Sequence, residues 1–429
     1  MIFAGIFRQI ESLTFNLPEA TIDSIPTPPE CLMIPRAATP YLQQLAREFR
    51  IVALTGPRQS GKTTLARAVF PGHAYVNLEE PDIRQLAAAS PRDFFTQFRA
   101  PLIIDEVQRV PELLSYLQVL VDQEKQNGQY ILTGSHQPRL KAEVSQSLAG
   151  RVALLPLLPF SIAELSAVNI TCDRDEYIYR GFLPRIYDES VTPTLLYRNY
   201  YQTYIERDVR QMVNISNQRA FEVFVRLLAG RIGQLVNFSA LAGEVGVSAP
   251  TLSAWFSALE ASHLVFRLPP YFRNFGKRLV KTPKVYFTDV GLAAYLLGIR
   301  SSEQVFQHPQ FGGLFENMVV LEALKARCNA GKDPDLYFFR DAHGLEVDLL
   351  LAEGQGLTPI EIKATRTFAP ELGNNLQSFL SLVDNADNAT VLYAGALKTS
   401  LGNVTFRNFA ETGMLVENPL NLNSLKKMI

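Results

Sequence analysis

Residues Arg50–Phe70 read RIVALTGPRQSGKTTLARAVF, and their reading decides the fold of the front of the chain. IVALT is a short apolar run, as expected of a strand buried on both faces. KTTLARAVF has the composition of a helix. Between them GPRQSGKT, Gly56–Thr63, matches G-x-x-x-x-G-K-[ST], and a strand before and a helix after give that pattern its meaning. Gly56 and Gly61 permit the tight turn that aims backbone N–H groups inward. The helix N-terminus adds positive potential for a phosphate. Lys62 is expected to reach the β- and γ-phosphates, and the Thr63 hydroxyl to bind Mg²⁺. Gly56, Pro57, Arg58, Gln59, Ser60, Gly61, Lys62, Thr63 and Thr64 are therefore the candidate ATP-binding loop, with Arg58 equally readable as a solvent-facing loop residue.

Working outward, AYVNLEE, APLIIDE and GQYILTGS read as further strands alternating with helices. That alternation predicts an α/β domain, a parallel sheet covered by helices on both faces, ending near Leu165. Asp105 and Glu106 close an apolar strand 42 residues beyond Thr63. Asp105 is the candidate Mg²⁺ ligand, and Glu106 the candidate general base for the attacking water. Thr133 and Ser135 end the next strand, where they suit sensing of the γ-phosphate. Arg151 reads as an arginine finger, in cis or toward a neighbour, or as an ordinary structural arginine.

Composition agrees with globular domains: 429 residues, 47% apolar and 19% charged. No apolar run is long enough to span a membrane. Three scattered cysteines form neither a disulfide framework nor a zinc pattern, so a reducing cytoplasm is expected. Residues 1–32 are Pro-rich and weakly periodic, an expected leader, and Met33 is a candidate true start. The expected organisation is 33–165 ATPase, 166–235 helical, 236–300 winged helix and 301–429 a nuclease-like tail.

Net charge is −1, which excludes a global basic signal for nucleic acid. Arg198–Lys284 nevertheless carry 12 Lys/Arg against 5 Asp/Glu. Within this segment FSALAGEVGVSAPTLSAWFSALEASHLVFRL reads as helix, turn, helix and strand, with Ser239 and Ser248 as N-caps and Gly246 at the turn. Its second helix offers no Arg or Lys for reading bases. Arg273, Lys277, Arg278, Lys281 and Lys284 follow, interleaved with Tyr271, Phe272 and Phe275, a stretch suited to phosphate contact and stacking on DNA or RNA. The alternative is a wing packed on its own domain.

The tail holds LEVDLLLAEGQGLTPIEIKAT, Leu345–Thr365. Glu361 and Lys363 share one face of a strand, across a hairpin from Asp348. With Glu316 on a preceding helix they form a candidate metal centre. Glu316, Asp348 and Glu361 are its candidate Mg²⁺ ligands, and Lys363 would orient water or neutralise the transition state. A surface ion pair is the plainer alternative.

VALTGPRQSGKTTLAR, PLIIDEVQRVPELL, YILTGSHQPRL, LAGRVALLPLLPFSIAEL, KVYFTDVGLAAYLLG and EVDLLL…PIEIKAT together resemble the prokaryotic AAA+-like P-loop ATPases with a C-terminal domain of unknown function, DUF4143. The resemblance runs from about Met33 to Ala364. It implies ATP binding and hydrolysis with Mg²⁺, a winged-helix middle and a restriction-endonuclease-like PD-(D/E)XK tail. Two readings stay open. In one, ATP drives a tail that acts on nucleic acid. In the other, a STAND-like switch addresses a protein partner or a second copy of the chain, and the tail is catalytically silent.

Overall fold

Strands β1 (Ile51–Thr55), β2 (Ala74–Asn77), β3 (Leu102–Asp105), β4 (Tyr130–Thr133) and β5 (Val152–Pro156) form a wholly parallel sheet in the order β2-β3-β4-β1-β5. In this computed structural model the described residues are 33–134, 148–209, 217–271, 282–386 and 388–417, without the side chains of 206–208. The strands are apolar up to their C-terminal residues because helices cover both faces. Along β1 the side chains alternate between the two layers, as a period of two requires. Ile51 and Ala53 join Leu113, Leu114 and Leu117 of helix Leu113–Gln123. Val52 and Leu54 join Leu65 of helix Lys62–Val69 and Leu42 of helix Thr39–Glu48. Because β4 is inserted between β1 and β3, the end of β4 stands between the phosphate loop and Asp105.

The middle of the chain is helical and then changes to a short ribbon. YRNYYQTYIERDVRQM reads as one amphipathic helix, but the structure divides it into an α-helix, Pro193–Tyr200, and a π-helical segment, Tyr201–Val209. The wider turn brings Tyr201, Tyr204, Ile205 and Val209 into the core together. Helices Phe238–Val245 and Ala249–Ala261 are joined through Gly246 at φ +77°. Ser248 caps the second helix as expected. The first is capped by Asn237, not Ser239, because the Asn237 side chain accepts the backbone N–H groups of Ser239 and Ala240. β6 (Val265–Leu268) and β7 (Lys284–Phe287) pair antiparallel.

The tail is a mixed sheet of β8 (Leu336–Arg340), β9 (Glu346–Glu353), β10 (Gly356–Lys363), β11 (Ala389–Tyr393), β12 (Thr399–Leu401) and β13 (Val404–Asn408), in the order β12-β13-β11-β10-β9-β8. Helix Phe311–Asn329 is buried on most of its surface and shares a core with Leu349, Leu351, Ile360 and Ile362. Hairpin register pairs Leu349 with Ile360, which sets Asp348 beside Glu361. No helix among the described residues is long and apolar enough to cross a membrane.

Candidate nucleotide site and C-terminal acid centre

β1 delivers the chain into the loop and helix Lys62–Val69 takes it out. Gly56 sits at φ +142°, and a Cβ there would lie 2.2 Å from the Leu157 carbonyl oxygen, so only glycine fits. The buried Lys62 ammonium donates to the carbonyls of Gly56 (3.1 Å) and Pro57 (2.7 Å), closing the loop on itself. Thr63 Oγ1 donates to Asp105 at 2.9 Å and 3.1 Å from its two oxygens. Thr133 Oγ1 also donates to Asp105, and Tyr75 OH does so at 2.8 Å. A hydroxyl and a carboxylate already in contact are hard oxygen donors that fit Mg²⁺. Glu106 follows at φ +56°, its carboxylate accepting from Gln108 Nε2. A cavity of ≈ 650 Å³ opens over Lys62, Thr63, Thr64 and Glu106. Tyr200, Thr203 and Tyr204 of the helical middle form its far wall, and the Arg58 guanidinium lies 5.3 Å from the Tyr204 ring.

Burial pushes Lys62 down to about 8, against the pull of Glu106 and Asp105. The same desolvation pushes Glu106 up. A consequence for binding follows. Below about pH 8 the free protein presents an ammonium to phosphate. Above it the proton is lost, and binding must recover it from solvent. ATP affinity is therefore expected to fall by up to about tenfold per pH unit above 8, and a fluorescent ATP analogue titrated from pH 7 to 9.5 checks this. A flat profile contradicts it.

At the other end of the chain, Glu361 and Lys363 make an ion pair at 2.7 Å, and Lys363 lies 3.9 Å from Asp348. Asp348 also accepts the Ile362 N–H at 2.9 Å. Glu361 Oε2 is buried without a partner. Glu316 does not complete a metal shell. It meets Lys284 at 2.9 Å and the Tyr286 hydroxyl at 2.5 Å. The Lys284 ammonium also lies 2.6 Å from Glu346 and 3.8 Å from Asp348. Burial works to lower the pKa of Lys284, but Glu316, Asp348 and Glu346 outweigh it and hold the ammonium charged. Burial, reinforced by Asp348, pushes both Glu316 and Glu361 up. Among the described residues no three acidic, histidine or cysteine side chains are grouped to hold a metal. Lysines rather than a shared gap face these acids: Lys284 stands against Glu316 and Asp348, and Lys363 against Asp348 and Glu361, a donor set that does not fit a divalent ion held by all three in this arrangement.

Three family models match the chain in series: an AAA domain over residues 48–166, a domain of unknown function (DUF8612) over 172–303, and a second such domain (DUF4143) over 311–410. An uncharacterized protein of Mycobacterium tuberculosis is 31% identical over 388 residues, 89% of this chain and 86% of its own length. An uncharacterized protein of Mycobacterium bovis matches to the same extent. The chain belongs to the AAA-like P-loop ATPases that carry a C-terminal DUF4143 region. Among solved structures it is similar to a Walker-type ATPase of Pyrococcus abyssi, with TM-score 0.38 and 15% identity, covering 60% of this chain and 94% of that one. It is also similar to a STAND protein with a tetratricopeptide repeat sensor from Pyrococcus horikoshii, with TM-score 0.20 and 14% identity, covering 66% and 47%.

Several sequence expectations are corrected in this AAA-like ATPase. Arg151 does not reach its own phosphate loop. It precedes β5 at the edge where Ile51 pairs with Val152, whereas the loop follows the opposite end of β1, and it is held by Asp122 at 2.7 Å and 2.8 Å. Lys284 is not a surface phosphate contact, being 2% exposed within the acid centre. Ser135, Arg273, Lys277, Arg278 and Lys281 lie outside the described residues, as does the leader. The exposed positions of helix Ala249–Ala261 are Pro250, Ser253, Ala254 and Ser257, none cationic. Sequence reasoning missed Tyr75, whose hydroxyl the parallel pairing of β2 with β3 brings to Asp105. It also missed Tyr200, Thr203 and Tyr204. The aromatic spacing in YRNYYQTY is the available signal, but an amphipathic helix accounts for it equally well.

Proposed function

We propose that this protein is an ATP-hydrolysing switch whose nucleotide state is read by its helical middle, with the C-terminal acid centre serving as a metal-free scaffold. The observation that carries this reading is the two-walled cavity: the phosphate loop on one side, Tyr200, Thr203 and Tyr204 on the other. Lys62 would neutralise charge on the β- and γ-phosphates. Thr63 and Asp105 would hold Mg²⁺, which supplies further charge neutralisation on the phosphate oxygens. Glu106 would take the proton of a water whose oxygen bonds to the γ-phosphorus as the bond to the β,γ-bridging oxygen breaks. Tyr204 donates to the Ser262 carbonyl at 3.1 Å, immediately after helix Ala249–Ala261, so movement of the cavity wall bears directly on the helical pair.

Lys284 supports the scaffold reading of the tail over a nuclease. A buried ammonium without partners costs several kcal/mol, and two of the three acids that a metal would need, Glu316 and Asp348, are among those that compensate it. A Mn²⁺ titration followed by electron paramagnetic resonance tests both halves. Nucleotide-free protein is expected to hold no tightly bound Mn²⁺. With a non-hydrolysable ATP analogue it is expected to hold one ion per chain, lost in Asp105→Asn. A nucleotide-independent site that disappears in Asp348→Ala would overturn the scaffold. Absence of the nucleotide-dependent ion would overturn the ATP site.

A further inference from the structure

Arg36 lies before the first helix of the ATPase sheet, in no motif, and is 9% exposed. Its guanidinium spends its donors on three acceptors from three segments. Nη1 donates to the Ser60 carbonyl of the phosphate loop at 2.7 Å, Nη2 to the Leu158 carbonyl at 2.6 Å, and Nε to Glu164 at 3.0 Å. The plane also lies 4.9 Å from the Phe160 ring.

Glu164 is equally committed. It accepts the N–H of Ala37 at 2.8 Å and of Ser161 at 2.7 Å, completing a capping box with Ser161. From the other side, Glu322 accepts the Ile162 N–H at 2.7 Å, and Lys325 donates to the Phe160 carbonyl at 2.6 Å and to Glu322 at 2.7 Å. Both residues belong to helix Phe311–Asn329, which also carries Glu316. The turn that anchors Arg36 is thus clamped by a buried polar chain that reaches the tail.

We propose that Arg36 is a positioning residue of the phosphate loop. The carbonyl and N–H of a trans peptide point in opposite directions. Holding the Ser60 carbonyl backward therefore aims the Gly61 N–H away from Arg36, and Gly61 lines the nucleotide cavity. A fixed donor loses no freedom when phosphate arrives, which is how pre-organisation raises affinity. Arginine is required because its planar fork reaches separated acceptors, whereas an ammonium is a point charge.

This inference rests on the nucleotide reading above, and its test separates the two. Arg36→Lys keeps a positive charge against Glu164, so the protein is expected to fold. Its affinity for a fluorescent non-hydrolysable ATP analogue is expected to fall at least about tenfold. The KM for ATP should rise in parallel, with kcat within about twofold, since the effect acts on ground-state and transition-state binding alike. Lys325→Met is the control: it weakens the same buried chain without removing any acceptor of Arg36, and should lower thermal stability with a much smaller loss of analogue affinity than Arg36→Lys. Wild-type affinity in Arg36→Lys, or an equal affinity loss in Lys325→Met, overturns the positioning role. Failure of the wild-type protein to bind the analogue overturns the nucleotide reading together with it.

Discussion

Lys62→Ala is expected to lower ATP turnover by about 10²–10³-fold or more, the range for removing a preorganised charge or donor from a catalytic site. Two losses combine. The ammonium that would meet the phosphates is gone from a buried position where its field is weakly screened. The carbonyls of Gly56 and Pro57, which it holds at 3.1 Å and 2.7 Å, lose their donor, so the loop loosens as well. Nucleotide affinity should therefore fall along with turnover. Calorimetric titration with an ATP analogue and a phosphate-release assay read the two separately. Retained affinity with retained turnover would remove Lys62 from the site.

Glu106→Gln is expected to behave differently. The amide keeps the size of the side chain and an acceptor for Gln108, so the fold of the turn and the affinity for ATP should be unchanged. It cannot take a proton, and turnover should fall by about 10²–10⁴-fold, the usual contribution of a general base. The variant should accumulate ATP rather than ADP. Denaturing the protein after incubation with Mg²⁺ and ATP and separating the released nucleotide measures that ratio. ADP at the wild-type proportion would assign the base elsewhere. The two variants together distinguish a residue that holds the phosphates from one that acts only when the bond breaks.

The ATPase fold was legible because its signals are local. A buried strand, a glycine loop, a helix and an acid-terminated strand are each written in a few consecutive residues. That the sheet is parallel then follows from the alternation of strand and helix; its order, with β4 between β1 and β3, does not. What escaped depends on segments far apart in the chain. Lys284 sits in a run of cations, and its neighbours in sequence suggest a basic surface. Pairing of β7 with β6 instead delivers it to Glu316, 32 residues on, and to Glu346 and Asp348. Arg151 follows a glycine and suggests a reaching finger, yet strand register puts it at the end of the sheet away from its own phosphate loop. The π-helical turn at Tyr201–Val209 has the composition of any amphipathic helix, and only its packing against the cavity and the core distinguishes it. Asn237 displaced Ser239 as a cap because both are good caps, and the one placed two residues earlier meets the free N–H groups first.

Arg36 shows the same limit from another direction. Its three acceptors come from residues 60, 158 and 164, and nothing near it in sequence announces them. Buried arginines that bridge loops are visible only once the loops are placed.

In the proposed function ATP is hydrolysed at Lys62, Thr63, Asp105 and Glu106. Its most direct test is release of inorganic phosphate from ATP by the full-length protein, with Mg²⁺ and with chelator, beside Lys62→Ala. Steady turnover that needs Mg²⁺ and is lost in the variant is expected. Phosphate release that persists without Lys62, or a wild-type protein that binds ATP with Mg²⁺ and never releases phosphate, would contradict it.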